Sequence, residues 1–186
     1  MWMSRFLQTR SDVMYTGIDT VPDLIKHHKT KYGGFPRWRF FEADFLDESF
    51  TFDREYDVIL LRMTLQHLFF DEVLAALKKM SQSGAAYALM TTFPGQAKNK
   101  ELQISKENPG RFRFLNLELP PIALTPPLCM DRDGPVDAYQ GWDHFIGLWK
   151  LPLRQVAYCE DNDTNTYRIR QTPVVVHSCT NAIPAL

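Results

Sequence analysis

Glycine and cysteine are both scarce in this chain of 186 residues, at nine and three copies. No Gly-x-Gly-x-Gly run occurs, so the chain lacks the loop in which such glycines let backbone approach a ligand and lead into a helix N-terminus. Cys129, Cys159 and Cys179 are odd in number and widely spaced, without the paired Cys or Cys/His spacing of structural zinc. They read as free intracellular thiols. No run approaches the ~20 apolar residues of a membrane span, and the opening residues lack the apolar core of a signal peptide, so a cytoplasmic location is expected. Lys and Arg total 21 against 22 for Asp and Glu, a net charge of -1 that offers no general field for nucleic acid or an anionic membrane. Asp131, Asp133, Asp137 and Asp143 lack the glycine and terminal Glu of a calcium loop, and no metal is expected.

A 45% hydrophobic and 13% aromatic content suits one globular domain with a sizeable core. Trp2, Met3, Phe6 and Leu7 recur at helical spacing, which predicts a helix over residues 2 to 9. Val13 to Ile18 reads as a strand, followed by a helix from Pro22 to about His28, and Trp38 to Asp44 reads as a second strand. Tyr56 to Arg62 is a continuous apolar run of the kind buried on both faces, expected at the centre of a sheet. A helix from Phe70 to Met80 has Asp71 and Glu72 early and Lys78 and Lys79 late, as its dipole favours. Ala85 to Phe93 is a fourth strand. Proline-rich Gln96 to Pro127 is expected to be an ordered loop, Phe145 to Leu151 an antiparallel strand at or near an edge, and Pro173 to Val176 an added strand or tail. Strands separated by helices through residue 93 require right-handed parallel crossovers, hence a three-layer, doubly wound, mostly parallel α/β sheet.

Two of these strands end in a carboxylate. Asp19 stands between a strand and a helix, where it serves equally as a cap or as an acceptor for ribose hydroxyls. Asp44 is an ordinary strand-end polar residue taken alone, and the pair at one end of one sheet is more specific than either member. His67 is a weak catalytic candidate, because histidine as a residue type can exchange a proton near neutral pH, set against a backbone-bonded residue at a helix start. Tyr139, Trp142, His144 and the loop Pro120 to Pro127 fit a lid or acceptor pocket, though packing under a loop is the commoner use of such residues.

Residues 13 to 93 resemble the second to fifth strands of class I S-adenosylmethionine-dependent methyltransferases. Tyr15 to Ile25 resembles the second strand, whose acidic end binds the ribose of the cofactor. Phe41-Glu42-Ala43-Asp44-Phe45 resembles the third, whose acid receives the adenine amino group and whose next residue packs on the ring. Tyr56 to Leu68 resembles the fourth, after which backbone lines the methionine end and a His often follows. Thr91 to Pro94 and Gly147 to Trp149 resemble a subgroup acting on small molecules, so the likeness spans roughly residues 2 to 153. It implies a Rossmann-like methyltransferase domain over 1–153 with a polar extension over 154–186, S-adenosylmethionine as cofactor, and Asp19, Thr20, Asp44, Phe45 and Arg62 as cofactor-binding residues. It also implies a small-molecule or protein methyl acceptor.

The family's first strand and glycine-rich loop have no counterpart, which suggests an N-terminally truncated domain. That strand normally lies between the second and fourth, and its loss would open a gap of two strand spacings, ~9.6 Å, unless those strands pair directly. The alternatives to an enzyme are a non-catalytic remnant that binds nucleotide weakly or engages a protein partner, and a dinucleotide-binding protein, which the missing loop disfavours.

Overall fold

The computed structural model describes residues 3–104, 111–134 and 144–156, and the chain divides into two compact units, Met1–Thr51 and Phe52 onward. In the first unit, helix α1 (Met3–Thr9) precedes strand β1 (Tyr15–Asp19), helix α2 (Pro22–Tyr32) and strand β2 (Trp38–Glu42). β1 and β2 are parallel, with Gly17 opposite Phe40 and Asp19 opposite Glu42. α2 provides the crossover between them. Leu7, Ile25, Tyr32, Trp38 and Phe40 are buried together, with Val13 and Tyr15 packed against them. The core is aromatic because α2 presents Tyr32 to the face of β2, with rings 5.3 Å from Trp38 and 6.0 Å from Phe40.

The second unit contains β3 (Val58–Leu61), a 3-10 turn at Leu65–His67, α3 (Phe70–Ser81), β4 (Tyr87–Thr92), β5 (Cys129–Arg132) and β6 (Phe145–Lys150). Its sheet has the order β3-β4-β6-β5, parallel between β3 and β4 and antiparallel at β4–β6 and β6–β5. Val73, Ala76, Leu77 and Met80 are buried at positions three and four apart, one stripe of α3 facing the core. The helix start is fixed by Glu72, whose Oε2 accepts the Phe69 N–H at 2.7 Å. No regular element occupies the described residues between Phe93 and Leu128, yet Leu115, Leu117, Ile122 and Leu124 are essentially inaccessible. This is the expected ordered loop, and it is part of the core.

Two expectations are corrected. The apolar run at β3 is the end strand of its sheet among the described residues and Val58 is exposed, whereas the sequence pattern predicts a central strand. Apolar periodicity reports the faces of a strand and carries no information about its lateral neighbours. β6 is antiparallel and near an edge, as expected, with β5 as the outer strand. β5 has a weak signal, with Asp131 and Arg132 among its four residues. Finally, Cys129 is buried and disulfide-bonded, so it is not a free thiol. β1 pairs with β2 and β3 with β4. No described helix is long and apolar enough to cross a membrane. The expected features at Pro173–Val176, Tyr139, Trp142, Asp137 and Asp143 lie outside the described residues.

Candidate functional site

Asp19 is the last residue of β1, and its main-chain oxygen accepts the N–H of Ala43, just past β2, at 3.1 Å. That bond places Asp19 and Asp44 beyond the same, carboxyl, end of the parallel pair. Asp19 Oδ1 accepts the Val21 N–H at 2.9 Å, and Asp44 Oδ1 accepts the Leu46 N–H at 2.8 Å. Each carboxylate thus bonds the backbone two residues ahead, the usual behaviour of Asp at a turn. Asp19 orders the turn into α2 without being its cap, since the capping position belongs to Val21, with Pro22 beginning the helix. Turn formation and ligand binding are compatible here: one oxygen of each carboxylate serves the turn, and the second oxygen lies outside that bond. Asp19 is half-buried while Thr20 and Asp44 are exposed. Phe45 is half-buried, with its ring edge-to-face with Phe50 at 5.5 Å. The residues present fit the ribose and adenine end of an adenosyl cofactor: two carboxylates held on fixed turns beside an aromatic ring.

In the second unit, Arg62 follows β3 and its Nε donates to Asp133 Oδ2 at 2.7 Å. The guanidinium is committed to an ion pair across 71 residues of sequence, which spacing alone does not reveal. Met63 adopts a positive φ of 55°, uncommon for a side chain of its size, and its N–H donates to Thr91 Oγ1 at 2.9 Å. His67 is exposed, and its Nδ1 lies 3.0 Å from the main-chain oxygen of Arg111. A carbonyl only accepts, so Nδ1 carries the proton and, in the neutral ring, Nε2 is the acceptor. The backbone-bonded alternative for His67 is therefore what its geometry displays.

The same region gathers aromatic rings that the sequence pattern does not single out. Phe93, directly after β4, lies 5.0 Å from Phe114 and 6.2 Å from Phe112, and Phe112 lies 5.4 Å from His67. His144 is buried and stacked on Phe93 at 5.9 Å, which matches the packing alternative for that residue. The available signal was the alternation Phe112-Arg113-Phe114, which sends two rings to one side and the guanidinium to the other. Arg113 indeed lies over Phe70 at 4.5 Å, and its Nη1 is 3.3 Å from Glu101 Oε1. Burial pushes its pKa below the ordinary arginine value. Among the described residues no group of three or more His, Cys, Asp or Glu side chains could hold a metal ion.

No protein-family model matches the sequence, and no curated protein matches it either. Solved structures do. The N-methyltransferase NodS from Bradyrhizobium japonicum WM9 superposes with a TM-score of 0.51 at 16% identity, over 74% of this chain and 72% of that one. The Burkholderia thailandensis 1,6-didemethyltoxoflavin-N1-methyltransferase, solved with 1,6-didemethyltoxoflavin and S-adenosylhomocysteine, gives 0.57 at 17% identity, over 80% of this chain and 65% of that one. The [4+2]-cyclase SpnF gives 0.54 at 10% identity, over 80% and 71%. The chain therefore has the α/β, Rossmann-like fold of the class I S-adenosylmethionine-dependent methyltransferases.

Proposed function

We propose that this protein binds S-adenosylmethionine and transfers its methyl group to a small molecule or an exposed protein side chain. The observation that carries the proposal is the pair Asp19 and Asp44, set on turns beyond the same end of β1 and β2 in a fold shared with methyltransferases. In an open α/β sheet, ligands bind outside the carboxyl ends of the strands. Asp19, with Thr20 beside it, accepts from the ribose hydroxyls; Asp44 accepts from the adenine amino group, and Phe45 packs on the ring.

When bound, with Asp19, Thr20, Asp44 and Phe45 holding its adenosyl end, the cofactor would supply an activated methyl group to a nucleophilic atom of the acceptor. Positioning accounts for most of the rate when the acceptor is already nucleophilic, so the absence of an evident catalytic dyad does not count against the reaction. A neutral His67 holds its Nδ1 proton on Arg111 and so presents a fixed tautomer. The second reading is a fold member without methyl transfer, either a weak nucleotide binder or a protein-interaction module. It is favoured by the likeness to the [4+2]-cyclase SpnF.

Calorimetric titration with S-adenosylhomocysteine separates the two. Binding is expected, and Asp19→Ala should weaken it by about 10- to 150-fold, the equivalent of the ~1.5 to 3 kcal/mol contributed by hydrogen bonds to a charged group. No heat at millimolar ligand would remove the methyltransferase reading.

A further inference from the structure

Arg113 is a buried charge that the methyl-transfer reading does not use. Its guanidinium lies over the Phe70 ring at 4.5 Å, and its Nη1 donates to Glu101 Oε1 at 3.3 Å. Among the described residues its Nε and Nη2 have no hydrogen-bond partner, and neither does Oε1 of Gln66, a residue with no exposed surface. The unpaired groups are complementary, two donors and one acceptor. They also belong to neighbours, because the Arg113 main-chain N–H donates to the Gln66 main-chain oxygen at 3.1 Å and the two side chains start from adjacent backbone. Gln66 is anchored by its amide nitrogen, whose Nε2 donates to the Thr91 main-chain oxygen at 3.0 Å.

A buried polar group left unpaired costs its full desolvation, and three such atoms meet here. Turning the guanidinium toward Gln66 pairs Oε1 and at least one N–H. The move gives up the ring face of Phe70 and the contact with Glu101, whose side chain is 45% exposed and regains water. Each position therefore satisfies what the other leaves unpaired, the balance under which a protein holds two arrangements, the lesser at about 0.1 to 10%. The backbone beside Arg113 is already under constraint. Arg111 has a positive φ of 46°, a conformation that persists only where its surroundings hold it, and its carbonyl accepts the Nδ1–H of His67. The stretch Arg111–Arg113 is thus tied to the turn Leu65–His67 by two bonds, and a guanidinium on Gln66 adds a third. We propose that Arg113 is a two-position clasp that exchanges Phe70 and Glu101 for Gln66 Oε1, and so tightens or releases the stretch that holds His67 beyond the end of β3.

The test uses the full chain and needs neither cofactor nor turnover. In a crystal structure of Glu101→Ala the guanidinium is expected to leave Phe70 and donate to Gln66 Oε1 at about 2.7 to 3.2 Å. In Glu101→Ala/Gln66→Met, which lacks the acceptor, it is expected over Phe70 again. In solution, NMR relaxation dispersion is expected at the Arg113 Nε–H of the wild type, a resonance assigned by its loss in Arg113→Met, and the dispersion should vanish in Gln66→Met. Methionine keeps the volume and the apolar stem of glutamine, and an unchanged near-UV circular dichroism spectrum certifies the fold of each variant. A guanidinium that stays over Phe70 in Glu101→Ala, or that leaves Phe70 in the double variant as well, overturns the clasp. So does a wild type without dispersion at Arg113 Nε, or dispersion that survives in Gln66→Met. Should Glu101→Ala not fold, the wild type and Gln66→Met decide the matter by dispersion alone.

Discussion

Replacing Gly147 by alanine tests how closely β6 is packed. A Cβ built there would stand 2.5 Å from Cζ3 and 2.6 Å from Cη2 of Trp149, and 3.3 Å from Pro127 Cβ. Carbon atoms prefer about 3.5 to 4.0 Å, so the indole must retreat by roughly 1 Å. It is poorly placed to do so, being buried and held by its Nε1–H, which donates to the Thr125 main-chain oxygen at 2.9 Å. Overpacking costs about 1 to 3 kcal/mol, and a broken buried hydrogen bond costs a similar amount. Alanine returns roughly 0.5 to 1 kcal/mol by restricting the unfolded chain. Gly147→Ala is therefore expected to lose about 2 to 4 kcal/mol, measured as a shift of the urea midpoint at unchanged slope. Trp149→Phe removes the outer ring atoms that clash, so in that background the alanine penalty should shrink by more than ~1 kcal/mol, a coupling of the size seen between contacting residues. A loss below ~0.5 kcal/mol, or an equal penalty in both backgrounds, would refute the packing account.

Thr91→Val removes the acceptor for the Met63 N–H inside the core, at a cost of about 1 to 3 kcal/mol, and hydrogen exchange at the Met63 amide should accelerate. Arg113→Met should change stability by less than ~1 kcal/mol or raise it. Among the described residues the guanidinium Nε and Nη2 are buried without partners, Glu101 is exposed enough to rehydrate, and methionine can still cover Phe70; a loss above ~3 kcal/mol by chemical denaturation would contradict this. Burial, reinforced by His27, holds the His28 imidazole below its ordinary value of 6.5. The unfolded chain then takes up the proton first, so stability should fall as the pH drops below about 6.5 and level off beneath the folded value, and His28→Gln should flatten that slope in pH-dependent denaturation.

What the sequence determined by itself is local. The stripe Val73, Ala76, Leu77 and Met80 repeats at the helical period, and α3 lies within a residue of where that period predicts it. Asp19 and Asp44 each act on the backbone two residues ahead, so a strand, a carboxylate and a turn within a few positions were enough to mark them. α2 continues past the expected His28 to Tyr32, because its last turn is kept by packing of Tyr32 on Trp38 and Phe40, which local spacing does not encode. Only the tertiary structure decided which strand lies beside which. β3 and a buried central strand share one apolar pattern, since side-chain periodicity records the faces of a sheet while edges are closed by backbone bonds common to every residue. The same limit hid the Arg62–Asp133 pair, the disulfide at Cys129 and the rings of Phe93, Phe112 and Phe114 around His67. Partners brought together from distant segments leave no period and no spacing behind, so the chain has to fold before they exist.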